Sequence, residues 1–84
     1  MTAATHPSRK LRYVLRLAVF KRMPRCACHY CGDVFDSREM TLDHVIPLCR
    51  GGKNVPDNLV PCCTGCNAAK GAMAYAEFVG SIAA

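Results

Sequence analysis

The first quarter of the chain carries an apolar pattern with the period of an α-helix. Apolar side chains recur every three or four residues, as they do along the buried face of a helix. They are Leu11, Val14, Leu15 and Ala18. Ser8 is a residue type that caps helix N-termini, and Pro24 cannot continue a helix. The pattern predicts a disordered lead over residues 1–8 and a basic N-terminal helical segment over residues 9–25.

A second apolar stretch, Met40–Leu48, contains the pair Asp43–His44. Its Val, Ile and Leu side chains favour a half-buried strand, and Pro47 interrupts regular strand pairing. The short apolar piece Leu59–Pro61 is able to pair with this strand. Together the two stretches predict a β-hairpin.

The C-terminal part is rich in alanine, the residue with the highest helix propensity. It predicts one helix over Asn67–Phe78, with Asn67 as the N-cap. We expect Gly71 to weaken this helix and Gly80 to end it, because glycine is favoured at helix C-termini. Residues 81–84 would then form a tail.

Chain length and composition limit the kind of domain that this chain can form. With 84 residues there is room for one domain with a small core, which commonly needs a staple. The first apolar stretch is broken by Arg12 and Arg16, so no secretory signal is predicted, and no run is long enough to cross a membrane. We therefore expect a reducing cytoplasm, in which the seven cysteines are metal ligands and free thiols rather than disulfides.

Two C-x-x-C pairs, Cys28–Cys31 and Cys63–Cys66, supply that staple. Two thiolates at this spacing can bind one zinc ion, and two such turns complete a tetrahedral site. Cys62 is an alternative to Cys63, although the spacing of Cys63 matches the first pair better. A thioredoxin-like redox pair would need a βαβ setting that this chain lacks. We predict one structural zinc ion that joins the two halves of the chain.

Basic residues are concentrated near the N-terminus. The formal net charge is +5, and seven Lys and Arg residues precede the first acidic residue, Asp33. This asymmetry is typical of proteins that bind a polyanion, most simply nucleic acid, although a solvated helix face produces the same pattern. Arg9, Arg12 and Arg16 fall opposite the predicted apolar face. We predict that these three contact phosphates.

The combined pattern of the middle of the chain resembles a known family. The run L-D-H-V-I-P-L-x-R-G-G, then D-N-L-V, then C-x-x-C-N-x-x-K-G is similar to that of the HNH endonucleases. The resemblance covers about Cys28–Gly71. It implies a small α+β fold, with a zinc-stapled ββα-metal core over residues 26–80 that follows the N-terminal helix.

The resemblance also implies a role for each matching position. Asp43 would be a ligand of a catalytic Mg²⁺ or Mn²⁺ ion, and His44 the general base that activates water. Asn58 would steady the loop and the histidine. Asn67 stands at the last position of the motif in place of His, and its amide oxygen suits a hard cation. The remaining candidate contacts to nucleic acid are Arg50, Lys53 and Lys70.

These roles imply metal-dependent hydrolysis of DNA, leaving 5′-phosphate and 3′-hydroxyl ends. One site cuts one strand, so we expect nicking, with low sequence specificity because little surface can read bases. The expected partner is double-stranded DNA. The protein could act on it as a homodimer or within a larger phage or restriction assembly. The alternative is a non-catalytic zinc module that binds nucleic acid, which would not need Asp43, His44 and Asn67 together. A hydrolase built on Cys49, His44 and Asn58 lacks a nucleophile turn.

Overall fold

The computed structural model describes residues 8–83. Of the predicted lead, only Ser8 is therefore described. The helices and strands in chain order are α1 (Arg9–Phe20), β1 (Arg25–Ala27), β2 (Val34–Asp36), β3 (Thr41–His44), β4 (Leu59–Cys62), α2 (Thr64–Lys70) and α3 (Tyr75–Ala83). The strands form two separate antiparallel hairpins, β1–β2 and β3–β4. In the described part of the chain, no helix is both long enough and apolar enough to cross a membrane.

Helix α1 begins where the sequence predicts and ends earlier. The Ser8 hydroxyl accepts a hydrogen bond from the Leu11 backbone N–H at 3.1 Å, which confirms the predicted cap. At the other end Lys21 and Arg22 take left-handed backbone conformations. The helix thus stops at Phe20, because two consecutive left-handed residues turn the chain before Pro24 is reached.

The buried face of α1 differs from the predicted one. Leu15 and Phe20 are buried, whereas Leu11 is 37% and Val14 is 50% exposed. Phe20 packs into the core of the domain with Cys28, Met40 and Cys63. The face is rotated because the large Phe20 ring, at the end of the helix, is what reaches this core.

Arg16 lies on the buried side of α1, so its predicted position opposite the apolar face is wrong. Its guanidinium donates to the Met40 carbonyl oxygen at 2.9 Å and to the Ser37 carbonyl oxygen at 2.7 Å. The same group lies 4.8 Å from the centre of the Phe20 ring. Two backbone acceptors and an aromatic face compensate the charge, so the side chain ties the helix to the core.

The predicted ββα core is confirmed. Strand β3 pairs with β4 from Thr41 opposite Cys62 to His44 opposite Leu59, and α2 follows directly. Strand β3 is shorter than the predicted stretch 40–48, because Ile46 exchanges two hydrogen bonds with the Asn58 side chain instead of with β4. His44 is therefore the last residue of its strand.

The C-terminal region forms two helices where one was predicted. Cys63 caps α2, and its sulfur accepts a hydrogen bond from the Cys66 backbone N–H. The prediction of Asn67 as N-cap is wrong, since Asn67 lies inside this helix. Gly71 ends α2 with φ +50° and ψ −122°, a conformation that side chains disfavour. Gly80 lies within α3, so its prediction as a helix end is also wrong.

Candidate functional site

Two side-chain clusters draw residues from the β3–β4 hairpin and α2. The first is the cysteine quartet, in which four sulfur atoms all lie within 4.8 Å of one another. Its members are Cys28, Cys31, Cys63 and Cys66. Cys62 is fully buried and directs its thiol to the Cys63 carbonyl oxygen. The structure thus brings Cys63 rather than Cys62 into the quartet, and the quartet can hold a tetrahedral zinc ion.

Backbone N–H groups point at the sulfur atoms of the quartet. The Cys28 sulfur is 3.4 Å from the backbone nitrogens of Tyr30 and Cys63. The Cys63 sulfur is 3.3 Å from the backbone nitrogen of Cys66. Burial raises the pKa of Cys28, but backbone donors from Cys31, Cys63 and Tyr30 outweigh it and lower the pKa to about 6. Such donors stabilise thiolates, the form that binds zinc.

The remaining thiols show why a cation is needed at this point. Burial and the sulfur atoms of Cys63, Cys28 and Cys31 raise the pKa of Cys66. The polypeptide alone therefore disfavours a thiolate at Cys66 beside the Cys28 sulfur, because adjacent negative charges repel. A zinc ion removes that restriction and allows all four sulfur atoms to ligate as anions.

The second cluster is the Asp43 cleft, a cavity of about 560 Å³. Asp43 and His44 reach it from the end of β3, and Asn67 and Lys70 reach it from α2. Neighbouring strand residues normally point to opposite faces. The end of β3 relaxes this rule, so both residues line the same cleft.

The Asp43 carboxylate already has two protein partners. The Tyr30 hydroxyl donates a hydrogen bond to Oδ2 of Asp43. Lys70 Nζ lies 3.3 Å from Oδ2 and 3.4 Å from Oδ1. Asp43 is 9% and Lys70 is 3% exposed, so this ion pair is buried. Burial and the Asp43 carboxylate raise the pKa of Tyr30, which keeps the phenol protonated as the donor.

His44 is oriented by a residue that the sequence analysis did not identify. Its Nε2 lies 2.7 Å from Oδ1 of Asn54. An amide oxygen only accepts, so Nε2 carries the proton and Nδ1 of the neutral ring keeps its lone pair. Asn54 follows the loop Arg50–Lys53, and nothing in its local pattern distinguishes it from an ordinary turn residue.

Asn58 closes the loop that follows β3. Its amide bonds to both backbone groups of Ile46, at 2.8 and 3.0 Å, and to the Lys53 carbonyl oxygen at 3.0 Å. Gly52 is needed in the same loop, because a Cβ there would lie 1.7 Å from the Ile46 carbonyl oxygen. This loop therefore fixes the position of Asn54, whose side chain hydrogen-bonds to His44.

Residues 28–82 match a family model described as HNH endonuclease. The chain belongs to the HNH endonuclease family. It is also 36% identical, over 52 residues, to the CRISPR-associated endonuclease Cas9 of Corynebacterium diphtheriae. That alignment covers 61% of this chain and 5% of the Cas9 protein, so the chain spans a small part of its relative.

The candidate cations of this HNH domain fall into two groups. Arg16 and Lys70 are engaged internally, with carbonyl oxygens and with Asp43 respectively. The other four, Arg9, Arg12, Arg50 and Lys53, are exposed. Arg12 lines a second cleft, of about 310 Å³, together with His44 and Asn54. The exposed Arg12 therefore shares this second cleft with the histidine.

The Asp43 cleft has the donor set for a hard divalent cation. The Asp43 carboxylate and the Asn67 amide offer oxygen ligands, which Mg²⁺ and Mn²⁺ prefer. Both side chains line one cleft, so the residues fit such an ion in ligand type. The Lys70 ammonium holds the same carboxylate, so an ion and Lys70 would share one anionic partner.

Proposed function

We propose that this chain is a metal-dependent endonuclease that hydrolyses phosphodiester bonds of DNA. The observation that carries the proposal is the cleft in which Asp43, His44 and Asn67 lie together. Membership of the HNH endonuclease family supports it. A zinc module without catalytic activity would have no use for a histidine held by Asn54 beside a buried carboxylate.

His44 is the proposed general base. Its Nε2–H is donated to Asn54, which leaves Nδ1 to take a proton from the attacking water. The water oxygen bonds to phosphorus as the bond to the 3′ oxygen breaks, so the products are a 5′-phosphate and a 3′-hydroxyl. Asn54 acts as a positioning residue, since it fixes which nitrogen is free.

Asp43 and Asn67 are the proposed ligands of the catalytic cation, Mg²⁺ or Mn²⁺. A bound divalent cation supplies charge stabilisation for the phosphate oxygens and the leaving oxygen. The quartet is proposed to hold a separate, structural zinc ion. Its four sulfur ligands suit zinc, whereas the oxygen ligands of the cleft suit the harder Mg²⁺ or Mn²⁺ ion.

The proposed substrate is double-stranded DNA bound through its backbone. The exposed cations Arg9, Arg12, Arg50 and Lys53 would contact phosphates, and Arg12 lies beside His44. Backbone contacts carry little sequence information, so low specificity follows. One cleft per chain cuts one strand, and cutting both would need a homodimer or a larger phage or restriction assembly. The thiol quartet favours a reducing cytoplasm as the setting.

A nicking assay tests the proposal. Zinc-loaded protein is incubated with supercoiled plasmid and Mg²⁺, relaxation is followed with time, and the new ends are mapped. His44→Ala should lower the nicking rate by about 10²–10⁴-fold, the range expected for a general base. Plasmid binding and zinc content should not change.

His29→Ala is the matched control. His29 is exposed and pairs with the Tyr75 hydroxyl at 2.7 Å, away from the cleft. This variant should nick at the wild-type rate. Equal nicking rates of His44→Ala and wild-type protein would refute the proposed mechanism.

A further inference from the structure

Lys70 is the most buried charged side chain among residues 8–82, with 3% exposure. Its ammonium group faces both oxygens of Asp43, at 3.3 and 3.4 Å. Lysine is rarely buried without an anionic partner, because the desolvation of its charge is costly. Asp43 is also buried, and its carboxylate likewise needs a partner of opposite charge. The two side chains therefore compensate each other inside the cleft.

Helix α2 presents Lys70 to the position that a divalent ion would occupy. Asn67 and Lys70 are three residues apart on this helix, so they share one face. Both line the cleft with Asp43. A cation bound between the Asp43 carboxylate and the Asn67 amide would lie next to the Lys70 ammonium. Two cations at one carboxylate repel each other strongly where water is excluded.

We propose that Lys70 is an internal counter-ion that competes with the divalent cation for Asp43. In the absence of the ion, Lys70 pairs with the carboxylate and holds it in place. Binding of the ion then requires the ammonium group to leave Asp43, so Lys70 lowers the affinity of the cleft for metal. The inference rests on the proposed function only in taking Asp43 as a metal ligand. It makes Lys70 a positioning residue rather than a contact to phosphate in the metal-free protein.

Metal affinity in the absence of DNA tests this inference. Mn²⁺ is titrated into the zinc-loaded protein without chelator, and the unbound ion is measured by electron paramagnetic resonance. Lys70→Met should bind Mn²⁺ about tenfold or more tightly, because a like charge is removed from beside the site. Asp43→Ala should lose this binding.

Lys10→Met is the matched control. It removes the same charge from an exposed position at the start of α1, and its Mn²⁺ affinity should equal that of wild-type protein. An unchanged or weaker affinity of Lys70→Met would overturn the inference. Wild-type affinity in Asp43→Ala would instead refute the proposed metal role of Asp43, and the inference with it.

A second measurement on wild-type protein does not depend on folding of the Lys70 variant. The side-chain carbon next to the ammonium group of each lysine is followed by NMR while Mg²⁺ is added to zinc-loaded protein. The Lys70 signal should move to the position of an exposed lysine as the ion binds, and the Lys10 signal should not move. A Lys70 signal that keeps its position at saturating Mg²⁺ would contradict displacement from Asp43.

Discussion

The cysteine quartet and the Asp43 cleft are both candidate metal centres, and they balance charge in opposite ways. The quartet gathers four sulfur atoms within 4.8 Å, and backbone N–H groups donate to two of them, those of Cys28 and Cys63. The cleft provides its carboxylate with a complete ion pair through Lys70. The quartet therefore depends on an added ion for its charge balance, whereas the cleft is balanced by the polypeptide itself.

This difference separates a centre that holds the fold together from one that can exchange its ion. Zinc bound by four thiolates contributes directly to folding, because the site does not exist in the unfolded chain. The Asp43 cleft remains formed by Tyr30, Lys70 and the β3–α2 packing. Loss of zinc from the quartet should unfold the domain. Loss of the divalent ion from the Asp43 cleft should leave the cleft intact.

The largest effect is expected from breaking the quartet. Cys66→Ser should lose zinc and unfold the domain, because the zinc contribution exceeds the total stability of a small domain. Elemental analysis and circular dichroism measure the two losses. Cys49→Ser removes an exposed thiol outside the quartet and should keep both zinc and fold. A Cys66→Ser protein that folds without zinc would show that the quartet, like the Asp43 cleft, does not need its ion for folding.

The cleft can be impaired without loss of the fold. Asn54→Ala should lower the nicking rate by about 10²-fold, because misplacement of a catalytic group has an effect of that size. Zinc content and thermal midpoint should stay close to those of wild-type protein. Asn54→Asp keeps an oxygen acceptor for Nε2 of His44 and should recover part of the rate. A full rate in Asn54→Ala would show that the His44–Asn54 hydrogen bond has no role in the reaction.

The two groups of cations provide a third test. Arg16→Gln should reduce the free energy of unfolding by about 2 kcal/mol, because its hydrogen bonds to two carbonyl oxygens are charge-assisted. Arg12→Gln should leave the free energy of unfolding unchanged. It should reduce the slope of log affinity for DNA against log salt concentration by about one, the contribution of one phosphate contact. Denaturant titration and binding at several salt concentrations distinguish them. The interpretation fails if Arg16→Gln is as stable as wild-type protein.

The smallest effect is expected at the contact between the two centres. Tyr30 lies between the quartet ligands Cys28 and Cys31, and its hydroxyl bonds to Asp43. Tyr30→Phe keeps the ring against Phe78, 5.0 Å away, and removes only this donor. Stability should fall by about 1 kcal/mol with zinc retained. Tyr75→Phe, which loses the bond to His29, is the control, and an equal loss in both would show that Asp43 is not the cause.

The quartet was predictable from sequence because its ligands are paired by local spacing. Each C-x-x-C pair spans a single turn, so the sequence alone identifies which sulfur atoms can meet. The β3–β4 hairpin was predictable for a similar reason, since its apolar stretches are separated by turn residues.

The long-range partners of Lys70 and Arg16 were not predictable in this way. Lys70 meets Asp43 across 27 positions, and Arg16 meets the Met40 carbonyl oxygen across 24. Such contacts depend on how α1 and α2 pack, so both side chains were interpreted as exposed phosphate contacts. The break at Gly71 was missed because alanine-rich composition favours one continuous helix, and only the backbone angles of Gly71 reveal the turn.

The crowding of sulfur in the quartet also has a consequence for the covalent fate of the chain. Thiols within 4.8 Å of one another need only small side-chain rotations to reach the bond length of a disulfide, about 2.0 Å. Four such thiols can pair in more than one way, and every pairing removes two zinc ligands. A bound zinc ion thus acts as a protecting group against oxidation. Whether a new chain meets zinc or an oxidant first decides if it matures into one folded protein or a mixture of cross-linked isomers.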